Sequence, residues 1–483
     1  MSYKTIVWFR QDLRIHDNPA LEYAALRGTI IPIYILDDGT PGQWKMGGAS
    51  KWWLHHSLQS LTKSLKSKGH QLHIFSGDPQ CILNELLHQT HADSIVWNRC
   101  YEPFAIERDK AIKESMVSRG VDLKSFNASL LFESWTIKNQ QGNFFKVFTP
   151  FWKHCLQQSL EQLSYSEKSL ASSDPFSEAI ETSVQLDDLK LLPSNPNWAA
   201  EFDWNPGEFS ALQKLNEFLQ TAIIPYKEHR DYMDKSATSL LSPHLHFGEI
   251  SPRLIFHRCQ ELAALGQGDL VGVHHFLSEL GWREFSYHLL YHFPQLPTEP
   301  FRPEFNRFEW GNNQEDLRKW QKGKTGFPII DAAMQELWQT GYMHNRARMI
   351  VASFLTKNLL IHWRCGAEWF WDTLVDADMA SNSASWQWVA GCGVDAAPYF
   401  RIFNPVTQGE KFDPDGQYVK RWVPELQHLD TKYIHQPWSA PLSVLKDARI
   451  RLGHTYPEPM IDLKTTRNRA LEVYNATRRK SEI

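Results

Sequence analysis

Short apolar runs alternate with amphipathic stretches through the first quarter of the chain. The runs that read as strands are residues 5–9, 30–36, 71–75 and 94–97. Each is short and rich in β-branched or aromatic residues, whereas residues 49–68 repeat apolar positions at helical spacing. Strands that alternate with helices are typical of a parallel sheet covered on both faces. The pattern therefore predicts a doubly wound parallel-sheet domain over residues 1–130.

The pattern changes beyond this domain. Residues 164–198 are rich in serine, proline and acidic side chains and lack a sustained period, which favours a surface connection between domains. From residue 205 onward, helical periodicity dominates, with frequent proline and glycine stops. The predicted organisation is an α/β domain (1–130), a long linker (131–204) and an all-helical domain (205–475).

The turn after the first predicted strand reads RQDLR and contains no glycine. Without glycine the backbone cannot close on a pyrophosphate, so a dinucleotide site of the Rossmann type is not expected there. An open sheet still has a crevice at the carboxyl ends of its strands. We therefore expect a different planar ligand near Trp8, Arg10, Asp37 or Glu102.

Composition narrows the class of protein. Hydrophobic residues make up 42% of the chain and charged residues 22%, as in a folded enzyme. No apolar run approaches the roughly 20 residues of a membrane span, and the first residues lack the features of a signal peptide. We expect a cytoplasmic protein that makes no membrane contact. The net charge of −4 gives no global attraction to nucleic acid, so phosphate binding needs a local basic patch.

The six cysteines lie far apart and never form a CxxC pair. Neither a disulfide framework nor a zinc site is indicated, and no metal is expected.

One segment of the second domain mixes residue types that an ordinary core does not combine. Asp376 and Asp378 precede Asn382, and Trp386 and Trp388 follow closely. Small residues fill the gaps, so that backbone can approach a flat group. This composition favours a large planar ligand with polar edges. A buried turn between two helices, with core tryptophans, is an equally weighted alternative.

A helix start is indicated at Ser242–Pro243, because serine caps helices and proline suits the first turn. Together with residues 238–241, it gathers amides and hydroxyls at a helix amino end, which attracts phosphate. Plain capping is the simpler alternative. Ser251–Pro252 has the same pattern and is interpreted as a cap only.

Two further helical segments carry polar and aromatic side chains on one face. Glu279, Trp282, Arg283 and Ser286 share a face on which a base can stack while the acid and the cation meet its edge and a phosphate. An internal ion pair beside a core tryptophan has equal weight.

In the second segment, Asn345 and Met349 share a face, and Arg348 is available to pair with Asp376 or Asp378. A buried pair of this kind needs extra hydrogen bonds to offset desolvation. The polar edges of a planar ligand such as a flavin provide them.

Longer motifs identify a family resemblance. They are WFRQDLRIHDNPAL, GGASKWWLHHSL, TSLLSPHLHFGEISPR, ELGWREF, KTGFPIIDAAM, MHNRARM and DAAPYFRIFNPVTQGEKFD, and they span nearly the whole chain. The chain resembles the DNA photolyase and cryptochrome family, most closely the bacterial enzymes that repair cyclobutane pyrimidine dimers. The resemblance implies a monomer that holds FAD in its helical domain, carries a second antenna chromophore and acts on UV-damaged DNA.

The resemblance also implies a set of cofactor residues. The residues expected to hold FAD are Tyr226, Thr238, Ser239, Leu240, Leu241, Ser242, Arg348, Asp376, Ala377, Asp378 and Asn382. Asn382 matches the position that faces the central-ring nitrogen of the flavin, where plant cryptochromes carry aspartate. A neutral amide does not readily protonate the ring, which favours the reduced anionic flavin that repair requires.

An electron path and a DNA surface follow from the same resemblance. Trp310, Trp363 and Trp386 match the three-tryptophan chain that passes electrons to photoexcited flavin, and with Asn382 and Glu279 they form the expected catalytic set. The residues expected at DNA are Arg230, Glu279, Trp282, Arg283, Asn345, Arg346, Met349, Trp388 and Arg401. Among these, Arg230 and Arg401 match phosphate contacts. The sequence His344-Asn345, rather than His-His, separates the chain from enzymes for the six-four photoproduct.

The implied activity is light-driven repair of cyclobutane pyrimidine dimers, by electron transfer from photoexcited reduced FAD to a flipped-out dimer. The alternative is a cryptochrome-type blue-light photoreceptor, which does not need the dimer-binding set. The antenna expectation is less direct, because NRCYEPFAIERD departs from the acidic folate-binding signature of the enterobacterial enzymes. Methenyltetrahydrofolate held in a different way is preferred, with a deazaflavin as the alternative.

Overall fold

The computed structural model describes residues 3–266, 270–395 and 400–479. The strands are β1 (Tyr3–Phe9), β2 (Gly28–Leu36), β3 (His73–Ser76), β4 (Ser94–Asn98), β5 (Asp122–Phe126) and β6 (Asp174–Pro175). The α-helices are α1 (Pro19–Ala25), α2 (Gly48–Ser67), α3 (Pro79–Thr90), α4 (Pro103–Val117), α5 (Phe148–Cys155), α6 (Ser166–Ala171), α7 (Glu208–Gln220), α8 (Tyr226–His229), α9 (Ser242–His246), α10 (Pro252–Ala264), α11 (Leu270–His292), α12 (Gln314–Gln321), α13 (Pro328–Thr340), α14 (Asn345–Ser353), α15 (Trp363–Thr373), α16 (Met379–Ala390), α17 (Pro405–Phe412), α18 (Gln417–Trp422), α19 (Leu442–Asp447) and α20 (Leu463–Arg479).

The first domain is the predicted doubly wound parallel sheet. Its strands follow the order β3-β2-β1-β4-β5, and every pairing is parallel. Along the central strand, Ile6 and Trp8 face one core and Val7 and Phe9 face the other, so the strand is apolar on both sides. The strand order reverses at β1, which opens a crevice at the carboxyl ends of β1 and β4.

The four predicted strands are confirmed, whereas β5 and β6 escaped the sequence pattern. Strand β5 reads DLKSF at the edge of the sheet and buries none of its residues fully. Strand β6 is only Asp174–Pro175, which pair with Thr29 and Ile30 of β2. Neither strand contains an apolar run, so the pattern of apolar residues could not predict them.

The second domain is helical, as predicted, and has two hydrophobic cores. One core surrounds α13 to α15, and the other surrounds α7, α10 and α11. Helix α16 gives Met379 and Ala380 to the second core and Trp386 and Ala390 to the first. The segment that mixes polar and aromatic residues therefore lies in the middle of the domain. None of the described helices combines the length and the apolar character that a membrane crossing requires.

Residues in the predicted linker are ordered and pack on both domains. Helix α5 packs against α11, and α6 packs against α1. Phe202 meets the ring of Trp52 on α2 with centroids 5.2 Å apart. The boundaries at 130 and 204 stay predictions, although much of the segment between them forms part of the two domains.

The loop after β1 is clamped by the helical domain. Arg14 Nη1 donates to Gly248 O at 2.9 Å, and Leu13 N donates to Phe247 O at 3.1 Å. Arg253 Nη2 donates to Asp17 Oδ1 at 2.8 Å, with both side chains buried. At Gly248 a Cβ would lie 2.0 Å from Gln11 O, and φ is +64°, so this close approach requires glycine.

Candidate functional site

Predicted cofactor residues from three separate elements meet at Asp376. Ser242 Oγ, at the start of α9, donates to Asp376 Oδ2 at 2.6 Å. Arg348 Nη2, on α14, lies 3.0 and 2.8 Å from the two carboxylate oxygens of Asp376. Asp376 is buried. Of the two possible partners for Arg348, the structure therefore selects Asp376.

The expected cap at Ser242 is wrong in its detail. Helix α9 begins at Ser242, but its N-cap is Leu241, which makes no side-chain capping bond. The hydroxyl of Ser242 instead donates a hydrogen bond to the carboxylate of Asp376. At Ser251 the expected cap is confirmed, because its side chain accepts from the first two backbone amides after Pro252.

Asp378 has a different set of partners. One carboxylate oxygen accepts from Ser381 N at 2.8 Å and caps α16, and the other accepts from Tyr287 and faces His246 Nδ1 at 3.4 Å. Burial by itself would raise the pKa of Asp378. This effect is outweighed by a hydrogen bond and the charge of His246, by the charge of Arg283 and by the hydrogen bond from Tyr287. The pKa of Asp378 therefore lies well below its usual range. Asp378 is therefore an anion that fixes the start of α16.

Asn382 and Trp386 lie one turn apart on α16 and dock on α15. Asn382 Nδ2 donates to Ala367 O at 3.0 Å. Beneath the buried indole of Trp386 lies Gly366, where a Cβ would come within 2.1 Å of the ring. An ionised aspartate at position 382 has no hydrogen to donate, so its carboxylate would face the Ala367 carbonyl oxygen with two acceptors in contact. Only a protonated aspartate could keep this hydrogen bond.

The three tryptophans of the expected electron path belong to one core. Trp386 and Trp363 are buried, and Trp310 is half-buried. The ring of His362 lies between two of them, 5.0 Å from Trp310 and 5.5 Å from Trp363. Trp363 begins α15, the helix against which Trp386 rests. Of the three tryptophans in this row, Trp310 is therefore the nearest to solvent.

These residues have the chemistry that FAD requires. Residues 238–240 are half-buried, carry two hydroxyls and precede a helix start. Leu240 holds φ at +53°, a strained conformation for a residue other than glycine that occurs most often at functional loops. The Arg348–Asp376 pair and the neutral amide of Asn382 supply donors and acceptors for the polar edge of a ring. The set fits a flavin dinucleotide.

Several predicted DNA residues are paired with one another or with neighbours. Arg230 on the loop after α8 forms an ion pair with Glu279 on α11. Arg346 Nη2 donates to Asp231 Oδ2 at 2.6 Å, and its guanidinium lies 4.4 Å from the ring centroid of Phe412. Asp231 and Phe412 were not anticipated, because each lies far from its partner in sequence.

The other predicted DNA residues differ in exposure. Asn345 begins α14 and is exposed, and Met349 is half-buried beside it. Arg401 is exposed, and its carbonyl accepts from Lys357 Nζ at 2.7 Å. Arg283 follows Glu279 and Trp282 on the same helix, but its guanidinium donates to Ser129 O at 2.7 Å and its side chain is mostly buried.

Two aromatic side chains of the DNA set are held by residues that the sequence did not single out. Trp282 is 36% exposed and stacks on Phe148, with ring centroids 3.8 Å apart and an interplanar angle of 9°. Trp388 Nε1 donates to Asp395 O at 3.1 Å. Phe148 lies in the predicted linker, where composition gave no signal for a role at the site.

The crevice of the sheet is a cleft between the two domains. The four residues expected there, Trp8, Arg10, Asp37 and Glu102, all line it. The guanidinium of Arg10 lies 4.7 Å from the ring centroid of Trp8. Among the described atoms, Trp8 Nε1 and Glu102 Oε2 are buried without a hydrogen-bond partner. The helical domain supplies the opposite wall, which includes Ala377, a member of the expected FAD set.

Comparisons with known proteins agree with this geometry. The model for the FAD binding domain of DNA photolyase matches residues 276–476, and the model for DNA photolyase matches residues 5–169. A deoxyribodipyrimidine photo-lyase from Agrobacterium fabrum is 47% identical over 99% of this chain and 100% of its own length. Cryptochrome-2 from Arabidopsis thaliana is 38% identical over 99% of this chain and 80% of its own length.

A solved structure gives the same result. The crystal structure of a bacterial class III photolyase from Agrobacterium tumefaciens has a TM-score of 0.94 at 46% identity and covers 99% of this chain and 98% of that chain. The similarity therefore extends through both domains and the segment between them. The chain belongs to the DNA photolyase family.

Proposed function

We propose that this chain repairs cyclobutane pyrimidine dimers in DNA with light, using reduced FAD. One helix carries the proposal. Along α16, Asn382 lies with the cofactor set, Trp386 begins the row of tryptophans, and Trp388 belongs to the set expected at the lesion. The residues expected to serve the cofactor, the electron supply and the substrate thus lie on a single helix of twelve residues.

The cofactor part rests on residues around Asp376 and Asn382. FAD, when bound and photoexcited in its reduced form, supplies the electron that opens the cyclobutane ring and takes it back. Arg348 and Ser242 hold the Asp376 carboxylate in place. Asn382 already donates to a backbone carbonyl and has no acidic proton to give. These residues orient the ring and keep its polar edge free of proton transfer.

The substrate part rests on the partly exposed residues of α11 and α14. A dimer that is flipped out of the duplex needs an aromatic surface and polar groups at its edge, and flipping costs least for a damaged pair. Trp282 supplies the surface, and Glu279 and Asn345 supply acceptors and donors. For Arg230 and Arg401 we propose contacts to phosphates, which hold the strand without reading its sequence.

For the antenna, we propose methenyltetrahydrofolate in the cleft between the domains, with a deazaflavin as the alternative. The cleft is lined by the buried Trp8, whose ring lies under the guanidinium groups of Arg10 and Arg108, and Trp8 Nε1 and Glu102 Oε2 are buried there without partners among the described atoms. Absorption spectra of the chromophores released by denaturation would distinguish the two, because folate and deazaflavin absorb differently. Only FAD in the extract would contradict the antenna proposal.

The test of the main proposal uses a duplex with one cyclobutane thymine dimer. Protein whose FAD has been chemically reduced should restore the two thymines under near-ultraviolet or blue light and leave them unrepaired in the dark. A protein that binds FAD and responds to light but never restores thymine would favour the photoreceptor alternative. The monomeric state and the cytoplasmic location remain predictions from the sequence.

A further inference from the structure

Trp282 presents only one face of its indole to a ligand. Its other face is covered by the ring of Phe148, with centroids 3.8 Å apart and planes 9° from parallel. Phe148 is itself half-buried at the start of α5, so it supports the indole from behind. A base that stacks on Trp282 must therefore lie on the face away from Phe148.

Asp395 connects this stack to the second tryptophan of the lesion set. Its Oδ2 accepts from Phe148 N at 3.1 Å, which satisfies a backbone donor at the first turn of α5. Its own carbonyl accepts from Trp388 Nε1 at 3.1 Å. Asp395 adopts φ +52°, a left-handed conformation that aspartate and asparagine tolerate better than most residues.

The two tryptophans lie on different helices, Trp282 on α11 and Trp388 on α16. The chain from Trp282 through Phe148 and Asp395 to Trp388 links them by one ring stack and two hydrogen bonds. Its members come from residues 148, 282, 388 and 395, so three segments of the chain must be in place before both indoles are fixed.

We propose that Phe148 and Asp395 are positioning residues that hold Trp282 and Trp388 at the spacing required to grip a flipped-out pyrimidine dimer. The inference rests on the proposed function, since it specifies how the substrate surface of that same site is maintained. Neither residue touches the reacting atoms. Their loss should therefore weaken recognition of damage and leave FAD binding intact.

The test compares Phe148→Leu with Phe148→Tyr, and with Phe144→Leu as the matched control. Phe144 lies in the same connecting segment, is half-buried and stacks on His292 at 4.8 Å and 10°. The probes are a duplex with one cyclobutane thymine dimer and the undamaged duplex of the same sequence. Dissociation constants are measured in the dark, and repair is measured at saturating protein with pre-reduced FAD.

We expect Phe148→Leu to bind the damaged duplex about tenfold more weakly, since an aromatic pair of this geometry contributes about 0.5–1.5 kcal/mol beyond burial and tenfold is 1.4 kcal/mol. Binding to the undamaged duplex, FAD content and the repair rate at saturation should stay within twofold. Phe148→Tyr keeps the stacked ring and should bind the damaged duplex as tightly as the wild type. Phe144→Leu should also behave as the wild type.

Asp395 is tested by Asp395→Asn and Asp395→Ala. Asparagine keeps an acceptor and tolerates the left-handed backbone, so it should retain damage recognition, whereas alanine should lose it to a similar degree as Phe148→Leu. Wild-type discrimination in Phe148→Leu, or equal losses in Phe148→Leu and Phe144→Leu, would overturn the positioning role. If the wild type itself neither prefers the damaged duplex nor repairs it, the proposed function fails instead.

Discussion

Glu279 and Arg230 form one ion pair, although the sequence suggests separate tasks for them. Glu279 is partly exposed and belongs to the set expected at the dimer, not to the cofactor set. We expect Glu279→Ala to abolish most repair at low DNA concentration while FAD content stays at the wild-type level, because Glu279 is assigned to the proposed dimer contact and not to the cofactor. Repair under saturating light and extracted FAD measure the two effects. Normal repair at limiting DNA would refute the assignment.

Arg230→Ala should weaken damaged and undamaged DNA alike. A phosphate contact carries no base information, and its loss reduces the slope of log affinity against log salt by about one. Titrations at several salt concentrations measure this slope. The double variant with Glu279→Ala should deviate from additivity, since the two side chains are in contact. A change in discrimination alone would mean that Arg230 reads the lesion.

Lys357 is a buried lysine, and its hydrogen bond to the carbonyl of Arg401 brings no opposite charge. Burial lowers its pKa to about 7, and the charge of Arg401 adds to this effect while Cys392 opposes it. Above this value the folded chain lacks a proton that the unfolded chain keeps until its ordinary pKa of 10.5. The free energy of unfolding that Lys357 contributes therefore rises with pH through this window.

Lys357→Met removes this dependence. The Tm of the variant minus that of the wild type should be highest near pH 6 and should fall progressively towards about pH 9.5. Thermal unfolding followed by circular dichroism measures the difference. Lys319→Met, at an exposed lysine paired with Glu315, is the control and should give a difference that does not change over this range. A difference that rises with pH at position 357 would contradict the assignment.

At the scale of single residues, the predicted pairing of Arg348 with Asp376 or Asp378 is confirmed for Asp376. Sequence reasoning had also put Ser242 in the same expected cofactor set, and its hydroxyl contacts Asp376. It missed Phe148 and Asp395, because a stacking partner or a backbone acceptor has no local signature. Such contacts are fixed by the tertiary fold alone.

Among the helices, α15 and α16 determine the environment of Trp386. We expect Trp386→Phe to lose most light-driven reduction of bound oxidised FAD, because phenylalanine preserves a flat apolar ring but is far harder to oxidise than indole. Repair with chemically pre-reduced FAD should survive, since the proposed role of the tryptophans is to supply electrons to FAD and not to act on the dimer. Absorbance changes under illumination and thymine recovery separate the two effects.

Trp320→Phe is the control for this experiment. Trp320 is buried in the same core, with its ring 6.3 Å from that of Trp386, but it is outside the expected path. It should keep light-driven reduction. Normal reduction in Trp386→Phe would mean that electrons arrive by another route, and absent repair with pre-reduced FAD would mean that Trp386 takes part in the chemistry.

At the scale of elements, the period of apolar residues located four strands and one long helix of the first domain. Strands β1 to β4 and helix α2 were placed to within two residues. Edge strand β5 and the two-residue β6 were missed, because their stability comes from backbone pairing with a neighbour. A polar composition between residues 164 and 198 likewise concealed the buried apolar side chains of this segment, which are Leu170, Phe176, Ile180, Leu189 and Leu191.

In the whole molecule, Arg253 joins the helical domain to the loop after β1 through its buried pair with Asp17. Arg253→Met leaves Asp17 buried without its partner, which costs about 3–5 kcal/mol. We expect a lower Tm and a loss of antenna chromophore, because the cleft has walls from both domains. Arg258→Met, at a more exposed arginine on the same helix, should change neither quantity measurably. Full antenna content in Arg253→Met would show that the clamp is not needed for the cleft.

The segment that connects the domains is packed against both of them along its length. Between residues 148 and 202 it supports Trp282, packs α6 on α1, adds β6 to the sheet and lays Phe202 against α2. Residues of this connection thus contact parts of the chain that are far from them in sequence. We expect a single cut in an exposed stretch of this connection to leave fragments that stay docked by their own packing, so that the two domains stay together without a covalent link at that point.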